Sequence, residues 1–444
     1  MIGQKFFKRR SGLFVPVKLH PSKRAYIVFG VLFGLVGVYV LVRVLAATDG
    51  GPAPMEVISH SAKAYASSGT ASAANDVNYD TTWSSGGAGW LAYDMASVSA
   101  AKRGNVVVAW YNNQEGYAIS DNLKGACPGS GGQAPTSYSI EANPAAGGGS
   151  VPTSGWVTLV NKTTNTYQSR QNVVNMTGYN WIRLSVGSSA SINVDVADAS
   201  AGVTDDWLFL GDSITARYAT HATSNGVRSI PDLISTSTSN TRYPIQENAG
   251  LPCVHASDVT GYIDSLLAMF PGKYVTLNLG TNDLWNGAGD VNAYYNDMQT
   301  LANKVIAAGK IPVIPHIPWP NNGGSWDTIV QAGNAKIDQL IASNSKIVRG
   351  PDLYAAYKGH SEYFVSSGDV HPNAVGVAIA RQQWASAMMT NVYANYKPGG
   401  SSSSSAISAE AENGVVSGNG PVTVGNDASA SGGKYIQFSP APTQ

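Results

Sequence analysis

From residue 204 to about 396, short apolar runs alternate with longer stretches in which apolar residues return every third or fourth position. Asp206-Trp207-Leu208-Phe209-Leu210, Lys273 to Leu279 (KYVTLNL), Lys310 to Pro315 (KIPVIP) and Lys346 to Arg349 (KIVR) have the continuous character of strands buried on both faces. Between them, Val291 to Ala308 carries Tyr294, Met298, Leu301 and Val305 at helical spacing. Ile329 to Ile341 does the same with Ile329, Ile337, Leu340 and Ile341. Strands alternating with helices predict an α/β domain with a parallel sheet, over residues 203–397. Such a sheet binds ligands at the carboxyl ends of its strands.

Residues 57–202 follow a different pattern. Asn105 to Tyr111 (NVVVAWY), Trp156 to Val160, Trp181 to Val186 and Ser191 to Val196 are short runs separated by Gly, Pro, Ser and Asn clusters, which predicts an all-β domain. Asn75 to Trp83 (NDVNYDTTW), Gly155-Trp156 and Tyr179-Asn180-Trp181-Ile182-Arg183 give it a resemblance to discoidin or galactose-binding-like jelly rolls. That resemblance makes Trp83, Trp90 and Tyr111 candidates for carbohydrate contact, against the alternative of core packing.

The first 48 residues carry eight basic side chains (Lys5, Lys8, Arg9, Arg10, Lys18, Lys23, Arg24 and Arg43) and no acidic one. Ala25 to Val42 is uncharged, long enough for a membrane span. The pattern predicts a basic cytoplasmic leader over 1–24, a transmembrane signal anchor or signal peptide over 25–47 and a linker over 48–56. The bulk is expected outside the cell: anchored at its surface, or secreted after cleavage near Ala46 or Ala47. Formal neutrality is therefore misleading. Removing those eight cations from 28 leaves 20 basic residues against 28 acidic, a balance unsuited to nucleic acid. Cys127 and Cys253 can pair in an oxidising compartment or stay single, and the sequence does not choose.

Chemistry enters through four strings in the α/β region: Gly211-Asp212-Ser213, Asn248-Ala249-Gly250, Gly280-Thr281-Asn282-Asp283 and Asp369-Val370-His371-Pro372-Asn373. Ser213 and Asn282 directly follow predicted strands, so both belong at the functional edge. Acyl transfer needs a hydroxyl activated by an imidazole and donors aimed at the oxygen that becomes negative. The ordered set resembles the SGNH (GDSL-type) hydrolase family, over roughly residues 204–396. The resemblance implies a flavodoxin-like three-layer domain in which Ser213 is the nucleophile and His371 the base. It places the amides of Ser213 and Gly250 and the Asn282 side chain in the oxyanion hole, and requires no catalytic metal or cofactor. The orienting acid of that family stands three residues before the histidine, and here that position is Gly368. Either Asp369 reaches the second ring nitrogen through a rearranged turn, or a Ser-His dyad operates with a backbone carbonyl holding the tautomer. His316 and Trp319, after the Lys310 strand, are candidate substrate contacts.

Lys397 to Ser405 closes the domain with a Gly/Ser linker, taken as 398–406. Beyond it, in 407–444, Ala409-Glu410-Ala411-Glu412-Asn413-Gly414 and Ala430 to Ile436 resemble the opening of family 6 or 35 carbohydrate-binding modules. Glu410 and Glu412 match by position acidic residues that hold a structural calcium there. About forty residues are too few to close such a sandwich, so a partial module is expected. Taken together, the sequence points to a surface serine esterase that removes short acyl groups, acetyl foremost, from a polysaccharide or glycan. The alternatives are a lipid-directed esterase (a lysophospholipase or thioesterase) and a non-catalytic glycan-binding adhesin.

Overall fold

The computed structural model describes residues 51–112, 127, 134–396, 422–426 and 434–438. Strands β1 (Lys63–Ala66), β2 (Trp83–Ser84), β3 (Gly89–Asp94), β4 (Asn105–Tyr111), β5 (Tyr138–Asn143), β6 (Val157–Lys162), β7 (Ser169–Asn175), β8 (Trp181–Val186) and β9 (Ser191–Asp198) form two sheets. Their orders are β1-β3-β8-β5-β6 and β2-β9-β4-β7, and every pairing is antiparallel. Strand β4 shows why NVVVAWY reads as an unbroken apolar run. Alternate side chains point to opposite faces. Val106, Val108 and Trp110 enter a cluster with Trp83, Leu91, Ile140, Leu184 and Val194, while Val107, Ala109 and Tyr111 join a separate one with Met55, Tyr79 and Ile245. Trp83 and Tyr111 are fully buried, so neither is an exposed sugar platform; Trp90 is half-buried.

The α/β part contains β10 (Asp206–Gly211), β11 (Ile245–Gly250), β12 (Tyr274–Asn278), β13 (Ile311–Ile314) and β14 (Val348–Arg349). They lie in the order β11-β10-β12-β13-β14, and all four pairings are parallel. This is the flavodoxin-like order, in which the chain reverses direction across the sheet between β10 and β12. Helices Ala256–Thr260, Ile263–Met269 and Gly324–Ser343 all pack against Val291–Ala307. Ser213–Tyr218, Ile230–Ser237 and Leu353–Tyr357 gather instead around Ala374–Asn391. Two helical layers thus enclose the sheet, and the buried face of Val291–Ala307 is built from Tyr294, Met298, Leu301 and Val305. Strand β11 carries no hydrophobic-run signal because it buries Gln246, Glu247 and Asn248.

Residues 51–396 belong to one compact unit. The Tyr111–Ile245 cluster ties the two parts together, and the α/β part carries a buried Asp205–Arg242 ion pair of its own. Tyr393 Oη donates to Asp205 Oδ1 at 2.9 Å and Arg242 Nη2 donates to the Pro52 carbonyl at 2.7 Å. Cys127 and Cys253 form a disulfide. In the remaining unit, β15 (Val422–Asn426) and β16 (Lys434–Phe438) pair antiparallel. Glu410 and Glu412, and the apolar segment 25–47, lie outside the described residues. Among the described residues, no helix is long and apolar enough to cross a membrane.

Candidate active site

Ser213 stands where β10 passes into a helix. Asp212 is the N-cap of that helix: its Oδ1 accepts the Ile214 N–H at 2.9 Å, and burial pushes its carboxyl up to about 6 against the opposing pull of those amides. Asp212 is therefore occupied in shaping the turn. Ser213, the first residue of the helix, keeps an amide that no intrahelical carbonyl can reach. Its hydroxyl lies 2.9 Å from His371 Nε2.

His371 reaches this point from the loop before helix Ala374–Asn391. Asn373 caps that helix by accepting the amides of Val375 (2.9 Å) and Gly376 (3.2 Å), and Pro372 keeps the preceding chain extended. The missing acid at position 368 is compensated by the turn itself. Gly368 has φ +75°, a left-handed conformation that glycine adopts without strain. After that turn, Asp369 Oδ1 accepts both the His371 backbone N–H at 2.8 Å and the ring Nδ1–H at 2.7 Å. Partial burial raises the Asp369 carboxyl, but these two bonds, the imidazole charge and Arg217 outweigh it and hold the group below the usual carboxylate range. With Nδ1 protonated toward Asp369, Nε2 is free to accept the Ser213 proton. Asn321, which the sequence reading did not single out, anchors the loop by donating to the carbonyls of Ser366 (2.9 Å) and Asp369 (3.0 Å).

Asn282 follows β12 and donates one amide hydrogen to the Val254 carbonyl at 2.9 Å, which leaves the other for a ligand. Asp283, pushed up to about 6 by burial, accepts the Ala256 N–H at 2.9 Å. Gly250 departs from expectation. Its N–H already donates to Asn248 Oδ1 at 3.0 Å, so it does not point an unspent donor at Ser213. The glycine is needed for a different reason: a Cβ there would lie 2.3 Å from Ala216 N and 2.4 Å from Ala216 Cα, so only a bare backbone lets the nucleophile's helix rest on β11.

A serine hydroxyl, an imidazole and a carboxylate thus stand in line. Residues 209–379 match the model of the GDSL-like Lipase/Acylhydrolase family. The α/β part is a GDSL-type hydrolase domain. A comparison with curated proteins returned no match. Solved structures similar to this chain include a lipase/acylhydrolase from Enterococcus faecalis (15% identity, 42% of this chain and 95% of that one, TM-score 0.34). Another is the psychrotrophic esterase EstA from a Pseudoalteromonas species (18%, 42% and 97%, 0.33). A third is an acetylxylan esterase from Geobacillus stearothermophilus (14%, 44% and 97%, 0.35).

Within the GDSL-type domain, the His316 ring is held between two carboxylates. Its Nε2 is 3.1 Å from Asp338 and its Nδ1 is 3.1 Å from Asp352, so both ring nitrogens are engaged in a network that includes Arg349. Trp319 packs edge-on against Phe364, which bridges Pro372 beside His371. The sequence reading passed over Trp285, three residues after Asn282. The residue is 49% exposed, and its ring meets Trp326 edge-on at 4.8 Å. Among the described residues, no group of three or more His, Cys, Asp or Glu side chains is placed to hold a metal.

Proposed function

We propose that this protein is a serine esterase that removes short acyl groups, acetyl foremost, from a carbohydrate outside the cell. The observation that carries the reaction is the Ser213–His371–Asp369 line, with contacts of 2.9 and 2.7 Å at a strand end of a GDSL-type domain. Ser213 Oγ attacks the ester carbonyl as His371 Nε2 takes its proton. The oxyanion is held by the Ser213 amide and the free hydrogen of Asn282. His371 returns the proton to the departing sugar oxygen, which leaves an acetyl-serine. Water, deprotonated by His371, attacks that acyl group, and acetate departs as Ser213 regains its proton.

Two features support a sugar rather than a lipid. Trp285 offers an exposed indole face next to Asn282, suited to stacking on a pyranose. The chemistry also sits on a chain rich in small polar residues and poor in charge, fused to an antiparallel β-sandwich that can position it on a polymer. Export is supported by the basic leader, the apolar segment after it and the Cys127–Cys253 disulfide.

The test measures acetate released from a panel of acetylated polysaccharides, beside turnover of p-nitrophenyl esters of increasing chain length. Release from at least one glycan, abolished by Ser213→Ala, and a preference for acetyl over decanoyl are expected. A preference for long chains would replace this reading with a lipid-directed esterase. Glycan binding without turnover of any ester would replace it with an adhesin.

A further inference from the structure

Gly250 has spent its amide on Asn248, so a second backbone donor for the oxyanion must come from elsewhere. The segment from 251 to 256 is held at the strand ends on both sides of the reaction centre. Leu251 N donates to the Gly211 carbonyl at 2.8 Å, two residues before the nucleophile, and the Val254 carbonyl accepts from Asn282 at 2.9 Å. Cys253 therefore belongs to a short segment bonded at one end to the chain that carries Ser213 and at the other to the side chain of Asn282.

Hydrogen-bond accounting across this segment leaves few amides unspent. Leu251 is taken by Gly211, His255 by Asp258 Oδ2 at 2.9 Å and Ala256 by Asp283 at 2.9 Å, while Pro252 has no N–H. Among the described residues, the amides of Cys253 and Val254 have no acceptor. Val254 is fully buried, whereas Cys253 is only partly buried. Cys253 also has φ +59°, a left-handed conformation unfavourable for a side-chain-bearing residue, so something must hold it there. Its sulfur is bonded to Cys127, whose own amide donates to the Pro252 carbonyl at 2.9 Å. The disulfide and this hydrogen bond clamp the Pro252-Cys253 turn from the same side.

We propose that the Cys253 amide is the second backbone donor of the oxyanion hole, and that the Cys127–Cys253 disulfide is the positioning element that holds it, which makes hydrolysis redox-sensitive. The inference rests on the esterase reading above. A dithiol gives two electrons and two protons to the disulfide, yielding two thiols, and closes to its own cyclic disulfide. The turn is then free to swing its N–H away. Because the amide acts on charge that appears only in the tetrahedral state, its loss lowers kcat and leaves KM nearly unchanged.

The experiment compares the full chain oxidised, the same protein reduced with dithiothreitol, and Cys127→Ser, on p-nitrophenyl acetate. Ser213→Ala serves as reference for the underlying esterase, and circular dichroism verifies the fold. Reduction and Cys127→Ser are each expected to lower kcat by about tenfold or more, a fraction of the hundredfold or greater loss that follows outright removal of an oxyanion donor. KM should stay within about twofold, and dithiothreitol should not change Cys127→Ser further. A folded, reduced wild type or a folded Cys127→Ser that keeps kcat within about twofold overturns the proposal. So does a loss confined to KM, or an equal loss on adding dithiothreitol to Cys127→Ser. If Cys127→Ser does not fold, the reduced wild type decides. Turnover that survives Ser213→Ala instead overturns the esterase reading itself.

Discussion

Asp369→Asn tests whether the carboxylate beside His371 takes part in hydrolysis. The substitution is nearly isosteric, and one oxygen of Asp369 accepts both the backbone N–H at 2.8 Å and Nδ1–H at 2.7 Å. An asparagine that keeps its oxygen in that place preserves the loop and the tautomer and loses only the charge. Two unit charges about 4 Å apart interact by about 4 kcal/mol at the effective dielectric typical near a protein surface. The side chains of His371 and Asp369 are 32% and 29% exposed, so water screens part of this, and about 2–3 kcal/mol is the reasonable share. That share corresponds to a loss of about 30- to 150-fold in kcat as the imidazolium forms in the transition state. If the asparagine flips and presents its NH2 to the ring, the tautomer is also wrong, and the loss grows toward about ten-thousandfold. The assay is steady-state hydrolysis of p-nitrophenyl acetate at saturating substrate, with thermal melting to verify the fold. A folded Asp369→Asn that keeps kcat within about threefold refutes the reasoning and leaves a Ser213–His371 dyad.

Four further outcomes are expected. Asn282→Ala should cost about a hundredfold or more in kcat with little change in KM, and an intact kcat would remove its side chain from the oxyanion hole. Trp285→Ala should raise KM for an acetylated polysaccharide several-fold while leaving p-nitrophenyl acetate hydrolysis within about twofold; equal effects on both would exclude a sugar platform. Arg242→Met leaves the buried Asp205 without its cation and should destabilise the protein by about 3–5 kcal/mol in urea unfolding, so an unchanged midpoint would contradict a stabilising role for this pair. Burial pushes the Glu247 carboxyl up to about 7, with Arg170 partly opposing it. The native state thus holds a proton that the unfolded chain releases between about pH 4.5 and 7. Its contribution is complete below about pH 4.5 and is lost as pH rises through about 7, costing about 3 kcal/mol. Melting temperature measured across that range should fall less in Glu247→Gln than in the wild type, and parallel curves would rule out this titration.

What the sequence made legible, and what it hid, divide along one physical line. Continuous apolar runs such as Asp206–Leu210 and spaced apolar residues such as Tyr294, Met298 and Leu301 report burial directly. The parallel sheet and the helices on it were therefore readable from pattern alone. Strand β11 was not, because it buries Gln246, Glu247 and Asn248, and a polar residue inside a fold has no signature until its partners are known. The same limit governs the site. Ser213, Asn282 and His371 could be named from residue type and strand context, but which amides remain free depends on neighbours far away in the chain. Gly250 illustrates this: it sits beside the nucleophile because Ala216 leaves no room for a side chain, yet Asn248 already occupies its N–H. His316 is the converse, a histidine at the functional edge whose two nitrogens are claimed by Asp338 and Asp352, 22 and 36 residues on. Motif residues therefore identify the chemistry, and the hydrogen-bond ledger around them decides which atoms are available to perform it. By that criterion the Asp369 oxygen, the free hydrogen of Asn282 and the unspent amides of Ser213 and Cys253 carry the catalytic argument, although only some of them stand where the motifs alone would place them.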